Sequence, residues 1–237
     1  GNGYLGRDLS GTGQGLKWDY IIVHESGHEW FANNITTKDI ADMWVHEGFT
    51  SYSEVLFTEY HFNKDDANKY VQGIRKNIGN KSNIIGTYGV NKEGSGDMYY
   101  KGANMLHTIR QVINDDEKFR KILRGLNKTF YHQTVTTKQI EEYMSRESGR
   151  DLRKIFDQYL RTTKIPVLEY KTTNGGIQFR WSNCVDGFAM PVKINIGKEQ
   201  WIQPKAEVWS TLKLADGYDG KTFEADKNFY ITTKRVD

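Results

Sequence analysis

Cysteine is nearly missing: Cys184 stands alone in 237 residues, so no disulfide can form within the chain and the redox compartment stays open. No apolar run approaches the roughly eighteen residues that a membrane-spanning helix needs, which excludes such a span. An excess of one charge is lacking as well. The formal net charge is only +3, and the densest basic group (Arg146, Arg150, Arg153, Lys154) is interleaved with Glu147 and Asp151, as on a solvated helix face. Nucleic acid is therefore not an expected partner. The glycines between Gly11 and Gly15 lack the lysine and the preceding strand of a phosphate-binding loop. Repeats and low-complexity tracts are absent from the sequence. So are a starting methionine and a signal peptide, and Gly1-Asn2-Gly3-Tyr4-Leu5-Gly6 reads like the interior of a protein. The chain is expected to be an excised piece of a longer one. Its compartment, cytoplasmic or exported to a periplasm or cell envelope, stays open.

What remains is ordinary globular material: 37% hydrophobic, 27% charged and 13% aromatic residues, enough for one large domain or two smaller ones. Residues 1–16, rich in Gly, Ser and Thr, predict loop. From about 18 to 34 the apolar residues Ile21, Ile22, Trp30 and Phe31 run without proline, which predicts a helix; Asp42 is the expected cap of a second, through Leu56. Further helices are expected at about 64–77, 97–114, 116–130, 137–148 and 151–161, with Asp97, Asp115 and Thr136 or Thr137 as starts and Gly149 as a stop. After Thr163 the pattern changes to short alternating runs at 167–170, 177–181, 192–196, 208–209 and 229–231, separated by Asn-Gly-Gly and Asp-Gly turns. An antiparallel β module is expected there, with a boundary near 162–166.

His24-Glu25-Ser26-Gly27-His28 fits H-E-x-x-H. On a helix, residues four apart share a face, so both imidazoles can point at one metal ion. Glu25 lies about 100° round the helix from His24, beside the metal, where it can hold a polarised water. Catalytic zinc usually takes three protein ligands and leaves one position for water. Glu47 offers the third, with eighteen residues between it and His28, within Trp44-Val45-His46-Glu47-Gly48-Phe49.

With that spacing, the W-x-x-E-G-F segment, Trp30 and Asn33, the chain resembles the zinc aminopeptidase family of aminopeptidase N and leukotriene hydrolase, among the gluzincin metallopeptidases. Tyr99-Tyr100-Lys101-Gly102 resembles the family's Tyr-x-Lys-Gly segment. His46 and Glu29 depart from the frequent Asn and Gln at those positions, outside the chemistry. The resemblance implies a mainly α, thermolysin-like catalytic domain over residues 1–162 and a small antiparallel β-sandwich over 163–237. It also implies one zinc per chain on His24, His28 and Glu47, with Glu25 as general base and Tyr99 stabilising the oxyanion. Glu54, two turns beyond Glu47, resembles the family's carboxylate that orients a ligating imidazole. Peptides are the implied substrates, cut from their N-termini. The family's Gly-x-Met-Glu-Asn segment, whose Glu grips the free amine, has no counterpart in residues 1–23. The β domain that precedes the zinc-bearing part in the family is expected to be missing as well. Endopeptidase or leukotriene-hydrolase-like chemistry, and a zinc-loaded but inactive binding or scaffold domain, stay open. His61, His107, His132 and Cys184 are expected to be bystanders.

Overall fold

A computed structural model describes residues 7–173, 176–213 and 222–236; residues 1–6 of the expected opening loop and Asn174-Gly175 of one expected turn lie outside them. The helices are α1 (Tyr20–Gly27), α2 (Trp44–His61), α3 (Lys64–Gly73), α4 (Tyr100–Ile113), α5 (Asp116–Thr129), α6 (Thr137–Ser148) and α7 (Arg153–Arg161). Four of the seven starts are set by side chains that accept otherwise unpaired backbone N–H groups. Asp19 caps α1, Asn63 caps α3, Asp115 caps α5, and Thr136 forms a reciprocal capping box with Gln139 ahead of α6. Gly149, at φ 67°, ends α6 in the left-handed conformation that favours glycine.

Two expected caps do other work. Asp42 closes a 3-10 turn before α2, and its buried carboxylate accepts from the Thr137 amide and hydroxyl and from Tyr88, tying α2 to α6. Asp97 sits in another 3-10 turn before α4 and accepts from the Gly79 and Asn80 amides. Both are acidic residues at a helix entrance whose long-range donors outcompete the local amides.

α2 is the centre of the helical part. Trp44, Val45, Phe49, Tyr52 and Val55 are all at most 2% exposed, and α1, α3 and α4 pack around them. Gly27 lets α1 come close: a Cβ there would stand 3.0 Å from the Thr50 methyl. The expected helix over 18–34 is shorter than its apolar pattern suggested. After Gly27 the backbone opens into a π-type turn over Glu29–Asn34, with non-helical angles at Phe31 and Ala32. Stacking of Phe31 on Phe49, 4.7 Å between centroids, holds the turn open. The chain then enters β1 (Ile35–Thr37), which pairs in parallel with β2 (Gln133–Val135).

The strands after residue 166 are β3 (Val167–Thr173), β4 (Gly176–Ser182), β5 (Val192–Asn195), β6 (Glu199–Ile202), β7 (Ser210–Lys213), β8 (Glu224–Ala225) and β9 (Thr232–Arg235). They form one sheet in the order β7-β4-β3-β9 and another in the order β6-β5-β8. The expected antiparallel pattern fails between β3 and β9, which run parallel. The reason lies just before β9. Phe229-Tyr230-Ile231, expected as a strand, is instead bound to the helices: Tyr159 Oη donates to the Tyr230 carbonyl at 2.6 Å and the Tyr230 amide donates to Thr108 at 3.0 Å. Val208-Trp209 is not a strand either. Trp209 offers its ring to the cations of Lys171 and Arg180. Among the described residues no helix is long and apolar enough to cross a membrane.

Candidate metal centre

His24 in α1 and His28, the residue that caps its C-terminus, face α2, and Glu47 answers them from the first turn of α2. The Glu47 Oε2 atom is 3.1 Å from His24 Nε2 and 3.5 Å from His28 Nε2. One ligand atom from each residue lies within 4.8 Å of the others, the one such cluster among the described residues. Donors sharing a tetrahedral zinc at about 2.0–2.1 Å stand about 3.3 Å apart, which is the spacing Glu47 keeps from both imidazoles. Two imidazole nitrogens and one carboxylate oxygen also form a donor set that zinc accepts.

The far side of each imidazole is held. His24 Nδ1 donates to Glu54 Oε1 at 2.8 Å. His28 Nδ1 donates to the Phe31 carbonyl at 3.1 Å, with the Thr50 hydroxyl 3.2 Å away. With Nδ1 carrying the proton, each neutral ring presents the lone pair of Nε2 to the shared point. The π-type turn earns a role here, because it carries the Phe31 carbonyl back beneath His28. Glu54 is only 2% exposed, and the buried Tyr70 hydroxyl donates to its second oxygen at 2.5 Å. A buried carboxylate without such partners would be costly.

The electrostatics follow from this crowding. Burial opposes the charged form of His24, but the hydrogen bonds and charges of Glu47 and Glu54 outweigh it and lift its pKa to about 9. Burial likewise works against ionised Glu47, and the two histidines overcome it, bringing its pKa down to about 2. The Tyr99 phenol is pushed up to about 12 by burial and by the negative charges of Glu47, Glu93 and Glu25.

These groups face a cavity of about 400 Å³ lined by His24, Glu25, His28, Glu47, Ser51 and Tyr99, among others. Glu25 is exposed on its wall. The Tyr99 ring lies over the His24 imidazole, with centroids 5.8 Å apart and planes 27° from parallel. All six residues singled out from the sequence, His24, Glu25, His28, Glu47, Glu54 and Tyr99, thus line one cavity. Sequence reasoning missed Phe31, Thr50 and Tyr70. A backbone carbonyl leaves no mark in a residue pattern, and Tyr70 sits in the apolar stripe of α3 with Ala67 and Val71, where it reads as core.

The bystanders are elsewhere. His107 is fully buried against Tyr52 and Asn228, while His61 and His132 are exposed. Burial pushes the Cys184 thiol up to about 11, which leaves it a poor nucleophile at neutral pH.

The model of the peptidase family M1 domain matches residues 8–159. The chain is similar to aminopeptidase M1 of Arabidopsis thaliana, with 23% identity over 90% of this chain and 23% of that protein. It is also similar to aminopeptidase N of Lactococcus lactis subsp. lactis, with 24% identity over 62% of this chain and 19% of that protein. The chain thus spans about a fifth to a quarter of the length of these relatives. In fold it is similar to an M1 zinc metallopeptidase mutant from Deinococcus radiodurans solved with a Tyr-Ser-Ala substrate. The TM-score is 0.51, at 24% identity over 58% of this chain and 32% of that one.

Proposed function

The chain belongs to peptidase family M1, and from that premise we propose that it carries the peptide-hydrolysing zinc centre of an aminopeptidase. One observation carries the reading: His24, His28 and Glu47 converge on a single point while Glu54 and the Phe31 carbonyl hold the outer nitrogens of both imidazoles. In this reading residues 1–162 form a thermolysin-like catalytic domain and 163–237 a β-sandwich, with one zinc per chain on those three ligands.

Zinc, when bound, supplies a Lewis acid and lowers the pKa of its water toward about 7. Glu25 takes the proton of the attacking water and returns it to the leaving amine. Tyr99, with its phenolic proton held to about pH 12, stays a hydrogen-bond donor at neutral pH. In this reading it donates to the carbonyl oxygen as that atom gains charge. Glu54 keeps the His24 ring turned and its Nδ1 protonated.

Glu25→Gln tests the core of this mechanism. In the protein at its natural length, turnover of aminoacyl fluorogenic substrates should fall on the order of 10²–10⁴-fold, with zinc content unchanged; undiminished turnover would sink the proposal. Recognition of a free amine is assigned to a Gly-x-Met-Glu-Asn-like segment upstream of the zinc motif, which residues 1–23 do not contain. Amine-blocked peptides cleaved as fast as free ones would favour an endopeptidase instead, and zinc binding without any turnover would favour a scaffold.

A further inference from the structure

α2 and α4 cross at two glycines. A Cβ built on Gly102 would stand 3.0 Å from the Gly48 Cα, and one on Gly48 would stand 3.1 Å from the Met98 carbonyl oxygen and 3.4 Å from the Gly102 Cα. Carbon atoms in van der Waals contact are about 3.5–4.0 Å apart, so neither position accepts an alanine unless the helices separate by a few tenths of an ångström. Glycine within a helix costs stability relative to alanine, and here two face each other in buried helices.

The crossing lies next to the chemistry on both sides. Glu47 immediately precedes Gly48, and Tyr99 stands one turn before Gly102, its carbonyl accepting from the Ala103 amide at 2.9 Å. The entrance to α4 is also held from the other side. The fully buried Lys101 ammonium donates to the Thr162 carbonyl at 2.8 Å, and Asp97 binds the Gly79 and Asn80 amides at 2.7 and 2.6 Å. With α4 so anchored, the closeness of the two helices sets how far Tyr99 stands from the Glu47 side of the cavity. We infer that Gly48 and Gly102 are positioning residues for hydrolysis, fixing the reach of the Tyr99 hydroxyl toward the substrate oxygen. This rests on the role proposed above for Tyr99.

The test is a double-mutant cycle of Gly102→Ala with Tyr99→Phe, in the protein at its natural length. Gly102→Ala should lower kcat on the order of 10- to 100-fold with KM little changed and zinc still stoichiometric. Calorimetry should show the same loss of affinity for a phosphinic pseudodipeptide that mimics the tetrahedral state, and none for the product amino acid. In the Tyr99→Phe background the same substitution should cost almost nothing further. Additive losses, or a change in KM alone, overturn the inference while leaving Tyr99 in its role. Full turnover in Tyr99→Phe alone removes the role and the inference with it. If Gly102→Ala does not fold, Gly48→Ala loads the same crossing from the Met98 carbonyl and enters the same cycle. Failure of both to fold would make the crossing a folding element and overturn the proposal.

Discussion

Glu47 in α2 and Glu169 in β3 are equally buried, each 8% exposed, yet their surroundings differ in kind. Glu169 lies directly across from Arg180 on β4, and its Oε2 accepts from the Arg180 guanidinium at 2.8 Å. That pair is complete within the chain. Glu47 instead meets the Nε2 atoms of two histidines that are already engaged at Nδ1. The contrast extends to the two parts of the molecule. Buried polar and charged residues are spread through the helical part, including Asp42, Glu54, Lys101, His107 and Arg110, whereas beyond residue 162 Glu169 is the only one among the described residues. Burying polar groups is costly unless they are paired. The part that carries many of them is also the part that holds the candidate site, while the β-rich part is packed almost wholly from apolar side chains.

The largest effect should come from that apolar core. Trp181 is fully buried, and its indole donates to the Met190 carbonyl at 2.9 Å. Trp181→Ala should cost about 3–5 kcal/mol of stability, read as a lower midpoint in denaturant. Zinc stoichiometry in the folded fraction should not change. Loss of zinc together with stability would break the division between the two parts.

The order of helices up to Arg161 and strands from Val167 was largely legible in the sequence. Helix spacing brought His24 and His28 to one face, and Asp115, Thr136 and Gly149 marked helix ends correctly because each acts on backbone groups a few residues away. What escaped was set by distant contacts. Asp42 and Asp97 look like caps, but their donors come from residues far along the chain. The turn at Glu29–Asn34 depends on Phe31 meeting Phe49, and β9 runs parallel to β3 because Tyr230 is bound to α4 and α7. The six residues that share the cavity, His24, Glu25, His28, Glu47, Glu54 and Tyr99, were picked out by motif. Phe31 and Tyr70, which complete the surroundings of the two imidazoles, were not.

A middle-sized effect is expected at Glu54. Glu54→Gln should weaken zinc binding by about 10- to 100-fold, measured by competition with a chelator. It should also change the pH dependence. In the metal-free protein the pKa of His24 is raised to about 9, and zinc takes only the neutral ring, so binding below that pH must displace a proton. His28 is raised above its ordinary value as well, so affinity should rise by at least tenfold per pH unit toward about pH 9, more steeply where both rings are protonated, and level off above it. Removing the Glu54 charge lowers the His24 pKa and moves the plateau to lower pH. An unchanged plateau would show that Glu54 does not act through His24.

The smallest effect should be at Glu169. Its partner Arg180 keeps about a quarter of its side chain in solvent, 27%, and also lies over the Trp209 ring at 4.7 Å. Solvent screening at that exposure limits the pair to about 1 kcal/mol or less, and Arg180 retains Trp209 when the carboxylate is neutralised. Glu169→Gln should thus shift the denaturation midpoint by no more than that amount and leave zinc affinity and turnover alone. A larger loss, or any change at the metal centre, would mean that the strand pair supports the site through the Tyr230 contacts with α4 and α7. Equal burial would then have concealed a functional link, and Glu47 and Glu169 would differ in their distance from the chemistry rather than in kind.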